Sequence, residues 1–135
     1  MTIIELSETA MRILTELEEA GAENVTSTMN TILDAQGGAA ELSEIEAALN
    51  ELVTAGLAVI GYAEGESTKT TVASKEKSLA DIGDFSRLLS YRIADHLWVW
   101  DEAVPLAQIV ATQSGMSQAR QLLEQRGYQW WKSRS

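Results

Sequence analysis

The stretch LSEIEAALNELVTAGLAVIGY, residues 42–62, decides how this chain is read. Ser43, followed three residues later by Glu46, has the form of a capping box. In that arrangement the hydroxyl takes an early free N–H and the carboxylate reaches back to the cap residue's own N–H. Ile45, Leu49, Leu52 and Val53 recur at helical spacing and predict one buried stripe. Gly56 stands where the helix must stop, because glycine enters the left-handed conformation without steric cost. Residues 57–62 are apolar and partly β-branched, Glu64-Gly65 offers a turn, and residues 68–73 are rich in threonine and valine. A helix, a glycine and a β-hairpin follow from this order.

Working back toward the N-terminus, residues 2–6 form a short apolar lead-in. Ser7 is the N-cap of a helix to Ala20, with Met11, Leu14 and Leu17 on one face and Gly21 ending it. Glu16, Glu18, Glu19 and Glu23 crowd the end where the helix dipole prefers cations, which is locally unfavourable. A second helix starts near Asn24 or Thr26, carries Val25, Met29, Ile32 and Leu33, and breaks at Gly37-Gly38. Helix, helix, helix, strand, turn, strand resembles a winged-helix domain, with residues 42–62 as its third helix and first wing strand. That resemblance implies nucleic-acid binding as the commoner task of the fold, and a helix after the wing that packs across a dimer. The loose Gly37-Gly38-Ala39-Ala40 link departs from a tight helix-turn-helix.

Working forward, Ser74 or Ser78 starts an amphipathic segment with Leu79, Ile82, Phe85, Leu88, Leu89 and Ile93 near helical spacing, weakened at Gly83 enough for a kink or two shorter helices. HLWVWD then alternates with β period, setting Leu97 and Val99 on one face and Trp98 and Trp100 on the other. Pro105 belongs to a loop, residues 108–112 read as a strand, and Ser114 or Ser117 starts a helix that stops at Gly127. Residues 128–131 read as a last strand, parallel to the one before because a helix joins them. The expected class is α+β: a winged-helix-like domain over 1–73, a linking or dimerisation helix over 74–95, and a small β-β-α-β unit over 96–135.

Charge narrows the function. Residues 1–66 hold thirteen acids and one base, Arg12, for a net of −12; residues 67–135 hold seven acids and nine bases, for a net of +2. The first half therefore repels polyanions and acidic membrane surfaces. On the third helix the polar positions are Glu44, Glu46, Asn50, Glu51 and Thr54, with Glu41 just before it, and no Lys or Arg lies between Arg12 and Lys69. A helix that reads a DNA groove offers Arg, Lys, Asn or Gln to bases and cations to phosphates. Only Asn50 answers that description, and the wing tip adds Glu64 and Glu66. The bases Arg120, Arg126, Lys132 and Arg134 give nucleic acid a second route through the other half.

Catalytic chemistry finds no foothold. There is no cysteine, and His96 is the one histidine, with Asp95 and Asp101 near it in sequence. Neither a triad nor a nucleophile elbow can be assembled, so no catalytic residue and no cofactor is expected. Glu41, Glu44, Glu46 and Glu51 lack the glycine-bearing loop of a hard-cation site, so no metal is expected either. Ser114-Gly115 lacks the further glycines and Lys-Ser or Lys-Thr of a phosphate loop. The absence of cysteine, of a membrane span and of a leader fits a soluble, cytoplasmic protein.

The residues expected at an interface are Trp98, Trp100, Trp130 and Trp131, since tryptophan is enriched in binding hot spots, together with Glu44 and Glu51. Half of the tryptophans are expected in the core. The expected function is an acidic, non-enzymatic protein-interaction module whose partner is another protein or a second copy in a homodimer. A nucleic-acid-binding regulator is the alternative, and an acidic mimic of nucleic acid a third.

Overall fold

A computed structural model describes residues 6–33, 37–63, 70–127 and 130–131. Among them the chain forms α1 (Glu8–Glu16), β1 (Ala22–Asn24), α2 (Val25–Ile32), α3 (Ala39–Thr54), β2 (Ala58–Ala63), β3 (Thr70–Val72), α4 (Lys75–Leu88), β4 (Leu89–Arg92), β5 (Leu97–Trp100), β6 (Ala107–Ala111) and α5 (Gln113–Arg126). This is a mixed α+β fold whose strand pairs are all antiparallel.

The stripe of α3 is the centre of the core: Ile45, Leu49, Leu52 and Val53 are all at most 1 % exposed. Ile13, Leu14 and Leu17 of the α1 segment, Val25 and Met29 of α2, and Ile82 and Phe85 of α4 close around it. Gly56 takes the left-handed turn expected of it, with φ 75°. The chain then enters β2, which pairs with β3 through Gly61↔Val72, Tyr62↔Thr71 and Ala63↔Thr70. The expected turn at Glu64-Gly65 lies outside the described residues. Two bonds tie α4 to β2: Ile60 N–H donates to Ser78 Oγ (3.0 Å), and the Tyr62 hydroxyl donates to Asp81 (2.7 Å). Burial first, and then that bond, push the Tyr62 phenol well above its usual range.

Several boundaries move, each for a visible reason. The first helix stops at Glu16, not Ala20, because the chain must turn through Gly21 (φ 79°) to lay β1 beside β6. The third helix begins at Ala39, four residues before Ser43. Glu41 supplies the reaching carboxylate, accepting from the Gly37 and Gly38 N–H groups at 3.4 Å each, and Ser43 is left exposed within the helix. The fourth helix runs unbroken through Gly83 but ends at Leu88. Residues 89–92 leave the helical period because Leu89 and Tyr91 pair across to Trp100 and Trp98.

The largest difference is in the last forty residues, read as a β-β-α-β unit with its last two strands parallel. β5 pairs with β4, while β6 inserts between β1 and β2, giving the order β1-β6-β2-β3. Ala58↔Ala111 and Ile60↔Ile109 are among its rungs on β2, and Glu23↔Ile109 is one on β1. Thr112 caps α5 and is itself anchored on the α3–β2 link, its hydroxyl donating to Gly56 O (2.8 Å) and its N–H to Leu57 O (3.0 Å). Gly115 is buried there because a Cβ would overlap the Leu57 carbonyl. The Ser114-Gly115 pair thus serves close packing. Trp130 and Trp131 form a turn against the core, and residues 128–129 of the expected last strand lie outside the described residues.

Candidate interaction surfaces

The two glutamates expected to face a partner, Glu44 exposed and Glu51 half-buried, lie along the seam between α3 and α1. The Glu51 carboxylate accepts from Ser7 N–H (2.9 Å) and from the Ser7 hydroxyl (2.6 Å), while the Thr9 hydroxyl donates to Glu44 (2.6 Å). Ser7 meanwhile caps its own helix by accepting from Ala10 N–H (3.2 Å). Two carboxylates of the third helix thus sit at the positive end of the first, where a helix dipole favours anions. Glu46 and Asn50 are half-buried, and of the exposed positions Ala39, Ala40, Ser43, Glu44, Ala47 and Thr54 none is basic.

Helix α5 brings cations to acids at both ends of the α1 segment. Arg126 bonds both oxygens of Glu8 at 3.1 Å, and Arg120 Nε lies 3.6 Å from Glu18. Glu16 accepts from the Trp131 indole, and the buried Arg12 donates from Nε to Trp131 O (3.0 Å). Two of the four crowded acids, Glu16 and Glu18, thus find partners more than a hundred residues away. A cavity of about 450 Å³ remains beside Glu16, Glu18, Glu19 and Trp131.

The four tryptophans divide by depth. Trp98 is 3 % exposed, stands edge-on to Tyr91 (5.5 Å between ring centroids), and donates its indole N–H to Glu41 (2.8 Å). Trp100 is half-buried, edge-on to Phe85 (5.3 Å), with its indole N–H on Val104 O (3.1 Å). Trp130 and Trp131 are half-buried, and the Arg126 guanidinium lies 4.5 Å from the Trp130 ring centroid. Alternation along β5 holds as expected, with Leu97 on the outer face at 42 % exposure.

Asn30 is a residue that sequence reasoning missed. Its side-chain amide accepts from Trp98 N–H (2.9 Å) and donates to Trp98 O (3.1 Å), as a neighbouring strand would. No local signal in the sequence announces this pairing across 68 positions. Beyond it, a groove of about 560 Å³ runs past Trp100 and Val104 to Leu106. Leu106 on the groove is 37 % exposed, and Ile93 in the β4–β5 turn 77 %.

His96 sits in the β4–β5 turn with φ 55°, exposed, 3.4 Å from the Tyr91 hydroxyl; Asp95 pairs with Arg92 instead. No group of three or more metal-binding side chains converges among the described residues, and no helix among them is long and apolar enough to cross a membrane. Compared with protein-family models, with curated proteins and with solved structures, the chain finds no match in any of the three.

Proposed function

We propose that this chain is an acidic, winged-helix-like protein-interaction module without catalytic activity, working in the cytoplasm. The winged-helix reading is supported by the order α1-β1-α2-α3-β2-β3 and by the antiparallel β2–β3 hairpin that follows the third helix. The observation that carries the functional reading is the state of that helix. Its carboxylates Glu44 and Glu51 accept from Thr9 and Ser7 at the start of α1, and its outward positions hold no cation. Phosphate neutralisation by Lys and Arg supplies most non-specific nucleic-acid affinity, and none is on offer here. Of the four bases that give a second route to nucleic acid, Arg120 and Arg126 pair with Glu18 and Glu8, and Lys132 and Arg134 lie outside the described residues. What the surface offers instead is apolar, at Val72, Ile93, Leu97 and Leu106. Fold alone does not separate these uses, so the site decides.

Of the two homodimer interfaces expected, residues 79–93 or the tryptophan strands, the first finds less support because Ile82 and Phe85 are consumed in the core. Fluorescence anisotropy with mixed-sequence duplex DNA at about 50 mM salt tests the reading where non-specific binders are strongest. No micromolar binding is expected. Micromolar binding, lost when Asn50 and Glu51 are changed, would overturn it in favour of a groove-reading regulator.

A further inference from the structure

We propose that the edge of β5 at Trp100 accepts one extended segment of a partner protein, an apolar strand flanked by a basic residue, by strand addition. This rests on the reading of the chain as a protein-interaction module.

The register dictates the edge. Asp101 N–H donates to Leu88 O (2.9 Å), so the bonded rungs of the β4–β5 ribbon fall at 88/101, 90/99 and 92/97. Residues 98 and 100 therefore turn their peptide groups away from β4. At Trp98 Asn30 closes that edge with two hydrogen bonds. One helical turn earlier on α2 stands Thr26, which lines the groove together with Trp100. Its hydroxyl donates to Asn24 Oδ1 (3.0 Å), leaving the strand unbridged at this point. The N–H and C=O of Trp100 have no partner among the described residues; its bonded polar atom is the indole nitrogen.

An open pair of peptide groups is matched by the N–H and C=O of another extended chain, which is how strand addition obtains its affinity. Val99, Val104, Pro105 and Leu106 line the same groove and suit one apolar side chain of the incoming segment. The rim supplies the charge preference. Glu102 lines it, Asp101 is exposed beside it, and no Lys or Arg among the described residues takes part. A second copy would bring the same acidic rim and the same Asn30 cap onto themselves, on a chain of net charge −10, so like charges oppose it. A base beside the apolar residue is the complement.

The test uses the full chain and fluorescein-labelled decapeptides of alternating valine and threonine that carry two lysines, two glutamates or neither. The lysine peptide should bind most tightly, and the Trp100 amide should gain protection from hydrogen exchange when it does. Thr26→Asn sets a carboxamide opposite Trp100 as Asn30 stands opposite Trp98, and should weaken binding at least tenfold with the thermal melt unchanged. Leu106→Lys, at an exposed position, is the second variant and should weaken the lysine peptide by a similar factor. The proposal is overturned by equal binding of wild type and both variants, by equal binding of lysine and glutamate peptides, or by no binding at millimolar peptide. A dimer in sedimentation that itself protects the Trp100 amide overturns it in favour of self-pairing. Failure here with no DNA binding leaves the module reading standing on other surfaces, whereas DNA binding removes both.

Discussion

At the α1–α3 seam, carboxylates that look free in the sequence have donors, while on β5 two neighbouring tryptophans of similar chemistry end differently. Glu44 and Glu51 are wired to Thr9 and Ser7. Trp98 has its ring buried and its peptide groups closed by Asn30, and Trp100, two residues on, has peptide groups without a partner among the described residues. The lesson is that conspicuous residue types do not mark the free surface. Acids that invite a partner in the sequence are part of the internal bonding, and the unsatisfied groups belong to a backbone that composition does not reveal.

The comparison needs a scale, and the core sets it. Leu49→Ala, at a position with no exposure, should cost about 2–5 kcal/mol in urea unfolding, as truncations of buried leucine do. A loss under about 1 kcal/mol would mean that the α3 stripe is not the core against which seam and edge are measured.

The closed end of the edge comes next. Asn30→Leu leaves Trp98 N–H and C=O without partners beside a buried ring, and should cost about 1–3 kcal/mol. Hydrogen exchange at the Trp98 amide should then accelerate toward the rate at Trp100. If both amides exchange alike in the wild-type chain, the contrast between the two ends of β5 is broken.

The smallest effect belongs to the seam. Glu51→Ala removes two acceptor contacts from Ser7 at the start of α1, and should cost about 1 kcal/mol or less, since exposed charges near helix termini contribute only that much. The loss should shrink in high salt. A loss as large as that of Asn30→Leu would place the seam, not the edge, among the main supports of the fold.

Where reading from residues succeeded, the signal was local. The buried period of Ile45, Leu49, Leu52 and Val53, the stop at Gly56, the cap at Ser7, one of the two starts offered for each of α2 (Asn24) and α4 (Ser74), and the β alternation around Trp98 each depend on neighbours within a turn or two. Sequence by itself determined these, along with the acidic first half, because capping, periodicity and left-handed φ are properties of short segments. Tertiary structure alone decided that β6 enters between β1 and β2, that residues 89–92 leave the helix to pair with β5, and that Arg120 and Arg126 reach the acids of α1. It also decided that Asn30 covers Trp98 and leaves Trp100 uncovered. Those outcomes join positions from 45 residues apart (Tyr62↔Ala107) to 118 (Glu8 to Arg126), or set one strand pairing against a competing helical period. Which partner satisfies a peptide group or a charge depends on what the packed chain brings within hydrogen-bond reach, and no local pattern encodes that distance.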